Sequence, residues 1–197
     1  MRKLYQYTFV ILIMAMLTSG GSTLATSRGI SIISTEGQSL DLYRDYQAVV
    51  VGISNYDWWP KLPYAADDAK EVAAKLATLN FQVKLVLDPT FEEMKKVLGE
   101  MVYDTGSEEN RALLFHYAGH GETETLADKT KLGYIIPRDC PLLKKDPMGF
   151  AGHAISMKDI ESVSLRVRSR HVLMLFDSCF YPRLIGQRIR GEAGYRG

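Results

Sequence analysis

Apolar runs alternate in this chain with stretches whose apolar residues recur every three or four positions, and that alternation limits it to one fold class. Residues 48–51 read Ala-Val-Val-Val and stop at Gly52. A run without polar interruption suits a strand covered on both faces, so it is expected at the centre of a sheet. Asp67 and Asp68 then open a stretch in which Ala69, Val72, Ala73 and Leu76 share one helical face while Lys70, Glu71 and Lys75 point away. Two carboxylates in a first turn complement the helix dipole, and Asn80 can close the helix in a left-handed turn. Phe81, Val83, Leu85 and Leu87 alternate with polar residues, as a half-exposed strand near a sheet edge does. Thr90 with Glu93 forms a capping box, and Met94, Val97, Leu98 and Met101 carry a second helix. Residues 112–115 predict the next buried strand, which breaks into Ala118-Gly119-His120-Gly121, where glycine permits a tight turn. Residues 134–136, stopped by Pro137, read as a short strand or hairpin arm. Ser156 with Asp159 caps a helix through Ile160 and Val163, and residues 172–176 form a last apolar strand ending at Asp177, Ser178 and Cys179. The order β-α-β-α-β-α-β predicts an α/β fold with a parallel sheet, helices on both faces and right-handed crossovers.

Charge and cysteine usage exclude several functions. Lys+Arg 24 against Asp+Glu 23 leaves a net charge of +1, too little basic excess to track a phosphate backbone, so nucleic acid is not an expected partner. The two cysteines, Cys140 and Cys179, cannot build a disulfide-dense scaffold or a four-thiolate zinc site. At the N-terminus, Arg2 and Lys3 precede an apolar run over residues 9–17, and small and polar residues follow through Ala25. That order reads as a signal peptide over residues 1–25, implying a secreted or periplasmic protein. The run is too short for a stable membrane span, which takes about 20 residues, although an uncleaved signal would anchor the chain. Residues 26–45 read as a leader or linker whose apolar patch at 30–33 suits one edge strand, and folding proper is expected to begin near Tyr46.

The chemistry collects where strands end, because open α/β sheets bind ligands outside the carboxyl ends of their strands. His120 follows the third main strand, and Cys179 follows the last, 59 residues later. A free thiol with a pKa of about 8.5 is only a few per cent thiolate at neutral pH, and an adjacent imidazole can accept its proton. His116 lies inside strand text and reads as structural. His116 and His120 mimic a zinc H-x-x-x-H, but such ligands share a face only on a helix, which Tyr117-Ala118-Gly119 argues against. In an oxidising compartment a Cys140–Cys179 disulfide is an alternative that would silence the thiol. Trp58 and Trp59 beside Pro60 suit a loop that either covers a cleft or packs on the domain.

His-Tyr-Ala-Gly-His-Gly at 116–121 and Asp-Ser-Cys-Phe at 177–180 resemble the two active-site motifs of caspase-like cysteine peptidases, metacaspases and their bacterial relatives above all. The text at 49–56, 62–76 and 133–139 is similar to that family's opening strand, first helix and the segment before its intersubunit region. The resemblance implies a caspase-like three-layer sandwich with a mostly parallel central sheet, occupying residues 46–182. It implies that Cys179 is the nucleophile, His120 the general acid/base, and the N–H groups of Gly121 and Cys179 the oxyanion donors. It also implies that Asp68 and Asp177 line the primary specificity pocket, with Asp67 a competitor for the helix position, so that the bond cleaved follows Arg or Lys. Calcium activation occurs among metacaspases, and acidic loops around Asp104, Glu108, Glu109 or Asp139 carry oxygen ligands, yet no spacing here defines a calcium loop and no cofactor or metal is assigned.

Two features depart from the family pattern. Tyr181-Pro182 stands where members commonly continue Ser-Gly, and only 18 residues follow Cys179. The fold is therefore expected to be truncated after the catalytic cysteine, with residues 183–197 a basic tail whose arginines are either self-processing sites or a solvated surface. The partner expected beside a polypeptide substrate is a small-subunit-like chain or a second copy. The alternative to an endopeptidase is an inactive caspase-like interaction module that binds a partner chain.

Overall fold

The computed structural model describes residues 31–33, 39–41 and 43–178. The readings that concern the signal peptide, Cys179 and residues 180–197 lie outside the described residues. In chain order, β1 (Ser31–Ile33) and β2 (Ser39–Asp41) pair as a separate antiparallel ribbon, so the 30–33 patch is not an edge of the main sheet. Then follow β3 (Asp45–Gly52), α1 (Ala65–Thr78), β4 (Gln82–Leu87), α2 (Phe91–Glu100) and β5 (Arg111–Ala118). A small antiparallel sheet of β6 (Gly121–Thr125), β7 (Lys131–Ile135) and β8 (Ile155–Ser156) interrupts the alternation, with α3 (Pro147–His153) inserted before β8. Helix α4 (Met157–Arg166) and β9 (His171–Asp177) complete the order.

The main sheet is parallel throughout, in the order β4-β3-β5-β9. The unbroken apolar run at 48–51 is indeed a central strand, and the alternating run after Asn80 an edge one. Both capping boxes form, Thr90 with Glu93 and Ser156 with Asp159. Asn80 takes φ 71°, the left-handed turn that ends α1. Helix α2 does not stop at Glu100; it runs into a π-helical turn over Met101–Thr105.

Successive strand residues face opposite sides of the sheet, which divides the core in two. Val49, Val51, Leu113, Phe115 and Tyr117 pack against Met94, Val97 and Leu98 of α2 and Ile160 and Val163 of α4. Ala48 and Val50 face the other way, onto Ala69, Ala73 and Leu76 of α1. Helices thus cover both faces. Gly52 sets how α1 enters: a Cβ there would stand 2.5 Å from Ala69 Cβ and 2.8 Å from the Ala65 carbonyl. Its absence lets the first turn of α1 rest on the end of β3. Beyond the reach of α1, Leu173 and Leu175 of β9 stay 53% and 42% exposed, while Val172, Met174 and Phe176 pack into the core.

Candidate active site

The carboxyl ends of β3, β5 and β9 lie side by side, and register decides what meets there. Gly52 pairs with Ala118, and Ala118 with Asp177. The ladder continues one step further, because the Gly119 N–H donates to the Asp177 carbonyl at 3.2 Å. Neighbouring strands are about 4.8 Å apart, so residues leaving β5 and β9 beyond this pair start from one rim.

His120 leaves that rim held on every side. Its N–H donates to the Tyr56 hydroxyl at 2.7 Å, and its carbonyl accepts from the Tyr117 hydroxyl at 2.8 Å. Both tyrosines are buried, and burial pushes the Tyr56 hydroxyl up to about 12 and that of Tyr117 well above its ordinary value, so both stay protonated at neutral pH, Tyr56 as acceptor and Tyr117 as donor towards the His120 backbone. The ring meets Tyr56 and Trp59 in tilted contacts, at centroid distances of 4.7 and 5.3 Å. Nε2 lies 2.8 Å from the Pro60 carbonyl oxygen. A carbonyl can only accept, so Nε2 carries the hydrogen and Nδ1 of the neutral ring keeps its lone pair. The imidazole therefore has one nitrogen committed to orientation and one available to take a proton.

The loop that supplies Tyr56, Trp59 and Pro60 is itself pinned. Asp88, at the end of β4 with φ 49°, accepts the N–H groups of Ser54 and Asn55 at 2.7 and 2.9 Å and the Asn55 side-chain amide at 2.7 Å. Desolvation pulls the Asp88 carboxyl upward, but the donors of Asn55 and Ser54 prevail and hold it below the usual carboxylate range. Trp59 Nε1 donates to the Cys140 carbonyl at 2.9 Å, and Arg138 pairs with Asp57 at 3.4 Å. Trp59 thus packs on the domain, whereas Trp58 is 63% exposed. Ser54 also serves α1, its Oγ accepting the Ala66 N–H at 2.9 Å in place of a local N-cap.

Asp67 and Asp68 separate clearly. Asp67 forms a 2.7 Å ion pair with Lys70 on the exposed side of α1. Asp68 is exposed as well, and it and Asp177 are the charged groups that raise the proton affinity of His116 in β5 against its burial. Asp68 and Asp177, the two acidic residues expected to line a specificity pocket, are themselves exposed and both favour the charged form of the buried His116 ring. Gly121 opens β6 opposite Ile135, immediately after His120. Cys140 is a free, fully buried thiol, and burial pushes it up to about 12, so it is neither disulfide-bonded nor a nucleophile. Among the acidic residues considered as cation ligands, Asp139 accepts the Phe91 N–H at 2.7 Å at the start of α2. Among the described residues no group of three or more His, Cys, Asp or Glu side chains could hold a metal ion, and no helix is long and apolar enough to cross a membrane.

The sequence profile of the caspase domain matches residues 46–193. The chain belongs to the caspase-domain family. This is a family of cysteine peptidases, and its parallel sheet with helices on both faces is the architecture described above. Among solved structures, a protein from Geobacter sulfurreducens superposes with a TM-score of 0.54 at 18% identity, over 68% of this chain and 50% of that one, which is a likeness of fold. This caspase-domain chain thus matches about half the length of that structure. No curated protein matches the sequence.

The sequence pointed to His120, Asp68 and Asp177 but not to the residues that hold His120. Tyr56 lies in a stretch similar to the family's opening strand and Tyr117 in its histidine motif, yet nothing in either motif says that the hydroxyls converge on one backbone. The Pro60 carbonyl is invisible to any residue pattern, because it is main chain.

Proposed function

We propose that this caspase-domain chain is a cysteine endopeptidase in which Cys179 attacks the peptide carbonyl, His120 shuttles the proton, and Asp68 and Asp177 select Arg or Lys before the scissile bond. The observation that carries this reading is the register pairing Ala118 with Asp177, since His120 and Cys179 are each the second residue beyond that pair. With Nε2–H bound to the Pro60 carbonyl, Nδ1 accepts the Cys179 proton. The thiolate adds to the carbonyl, and the N–H groups of Gly121 and Cys179 stabilise the oxyanion, at about 2.7–4 kcal/mol per donor in comparable acyl transfers. Nδ1–H then protonates the leaving amine, and water hydrolyses the thioester. Two carboxylates beside the cleft favour a cationic side chain through charge-assisted hydrogen bonds. The basic and apolar opening of the chain supports export as the setting.

The test is cleavage of Arg- and Lys-containing reporter peptides by the full chain. Cys179→Ala should abolish it, and Asp177→Asn should raise KM for the Arg peptide while leaving an uncharged peptide unaffected. Cleavage that survives Cys179→Ala would sink the proposal. A second reading, an interaction module that docks a partner chain, is favoured by Leu173 and Leu175, the exposed face of β9. An electrophilic peptide mimic that labels Cys179 only when it carries Arg separates the two readings in favour of the enzyme.

A further inference from the structure

His116 is the buried titratable group that the mechanism above leaves unused. It sits mid-strand in β5, paired with Val50 on one side and Leu175 on the other, and retains 9% of its surface. Its Nδ1 is buried and has no hydrogen-bond partner. Buried polar atoms in native proteins are nearly always bonded, so an orphan asks for a reason.

Its surroundings supply one. Strand alternation puts His116 on the same face of β5 as Leu114 and Ala118, the face turned to α1. On α1, Val72 packs against the cluster that includes Leu114, and Asp68 stands one helical turn nearer the rim, on the same side of the helix. On β9, Asp177 is two residues beyond Leu175, the partner of His116, and so lies on that same face. From β3 the only neighbour in register is Val50, which is apolar. The charged groups facing His116 are therefore Asp68 from α1 and Asp177 from β9, the two carboxylates assigned above to the substrate's basic side chain.

We infer that His116 lies beneath the Asp68–Asp177 pair and that its protonation sets how firmly the two carboxylates hold a guanidinium or ammonium group. The inference rests on the proposed basic specificity and adds its pH control. Burial lowers the proton affinity of His116, and the carboxylates of Asp177 and Asp68 oppose that. At neutral pH the ring is neutral and both carboxylates act on the ligand. On acidification His116 takes up a proton, compensates one carboxylate and repels the ligand's charge. Linkage is reciprocal: a bound guanidinium must lower the proton affinity of His116 by the same factor.

The experiment is a titration of the full chain with acetyl-arginine methylamide, followed by histidine-ring NMR at pH 7.5 and 5.5, with the citrulline analogue as the uncharged control. In the wild type the affinity for the arginine compound should fall about tenfold as the His116 ring signals report its protonation, and saturating compound should move the His116 midpoint downward. In His116→Gln the affinity should change less than twofold. Equal pH dependence in both proteins, or none in the wild type, overturns the inference alone. No binding at either pH, or equal binding of the citrulline control, overturns the basic specificity and this inference with it. Should His116→Gln lose its fold by circular dichroism, the ligand-induced shift of the wild-type His116 midpoint decides by itself, its absence in the presence of binding being the refuting result.

Discussion

Replacing Gly119 by Ala probes the packing behind His120. A Cβ at Gly119 would lie 2.6 Å from the hydroxyl oxygens of both Tyr56 and Tyr117 and 2.8 Å from Cζ of Tyr117. Ordinary contact begins near 3.4 Å, so each oxygen must retreat by about 0.8 Å. Neither is free to do so, because Tyr56 accepts the His120 N–H at 2.7 Å and Tyr117 donates to the His120 carbonyl at 2.8 Å. Overpacking a tight site costs about 1–3 kcal/mol. Leaving one buried partner unsatisfied adds about 1–3 kcal/mol. Gly119→Ala should therefore destabilise the chain by about 2–6 kcal/mol in urea denaturation, with the slope unchanged. Tyr56→Phe removes one of the two opposing oxygens and alone costs about 1–3 kcal/mol, since the His120 N–H loses its acceptor. The double variant should be less destabilised than the sum by about 1 kcal/mol, because the new methyl then meets one hydroxyl instead of two. A Gly119→Ala protein within about 0.5 kcal/mol of wild type, or strict additivity in the double variant, would refute this account of the contacts.

Further outcomes follow from neighbouring groups. Asp88 holds the Ser54–Asn55 turn with its carboxyl below the usual range, so its contribution is full above the unfolded value of about 3.9 and is lost as pH falls through the lower folded value; Asp88→Asn should flatten that acid limb in pH-resolved urea melts. Arg111 grips Asp45 through Nε and Nη2 at 2.5 and 3.0 Å where β3 and β5 begin, with both side chains partly buried. Asp45→Ala should cost about 1–3 kcal/mol by the same denaturation assay, and a change below about 0.5 kcal/mol would mark the pair as ornamental. Cys140, buried and shifted to about 12, should resist a thiol reagent at pH 8 in the native protein. Urea-unfolded protein should thus titrate one thiol more than native protein.

The elements that the sequence made legible are those whose signals are local. The run at 48–51, the capping pairs at Thr90 and Ser156 and the turn at Asn80 each express a preference of a few consecutive residues, and each recurs in the structure. The β6–β7 hairpin and α3 were less visible. β6 reads Gly-Glu-Thr-Glu-Thr and has no apolar period, and α3 is a seven-residue helix begun by an Asp146 cap whose Oδ1 accepts the Gly149 N–H. For the candidate site, motif and position in the sequence suggested His120, Asp68 and Asp177. The Tyr56, Tyr117 and Pro60 contacts did not, since they join residues three to 64 apart and one of them is a main-chain oxygen. Asp67 and Asp68 look alike in sequence; in the structure Asp67 pairs with Lys70, whereas Asp68 raises the proton affinity of His116.

The β5–β9 pairing carries a kinetic consequence. Parallel neighbours cannot be joined by a tight turn, and here a whole antiparallel sheet and two helices intervene before the partner strand arrives. Long-range pairing of this kind forms slowly, after the loop has been closed at an entropic cost. On the peptidase reading, a half-made or partly melted copy keeps its nucleophile apart from its base. Proteolytic competence would then switch on with the final zipping of the sheet, and damage that loosens that strand would disarm the enzyme instead of unleashing it.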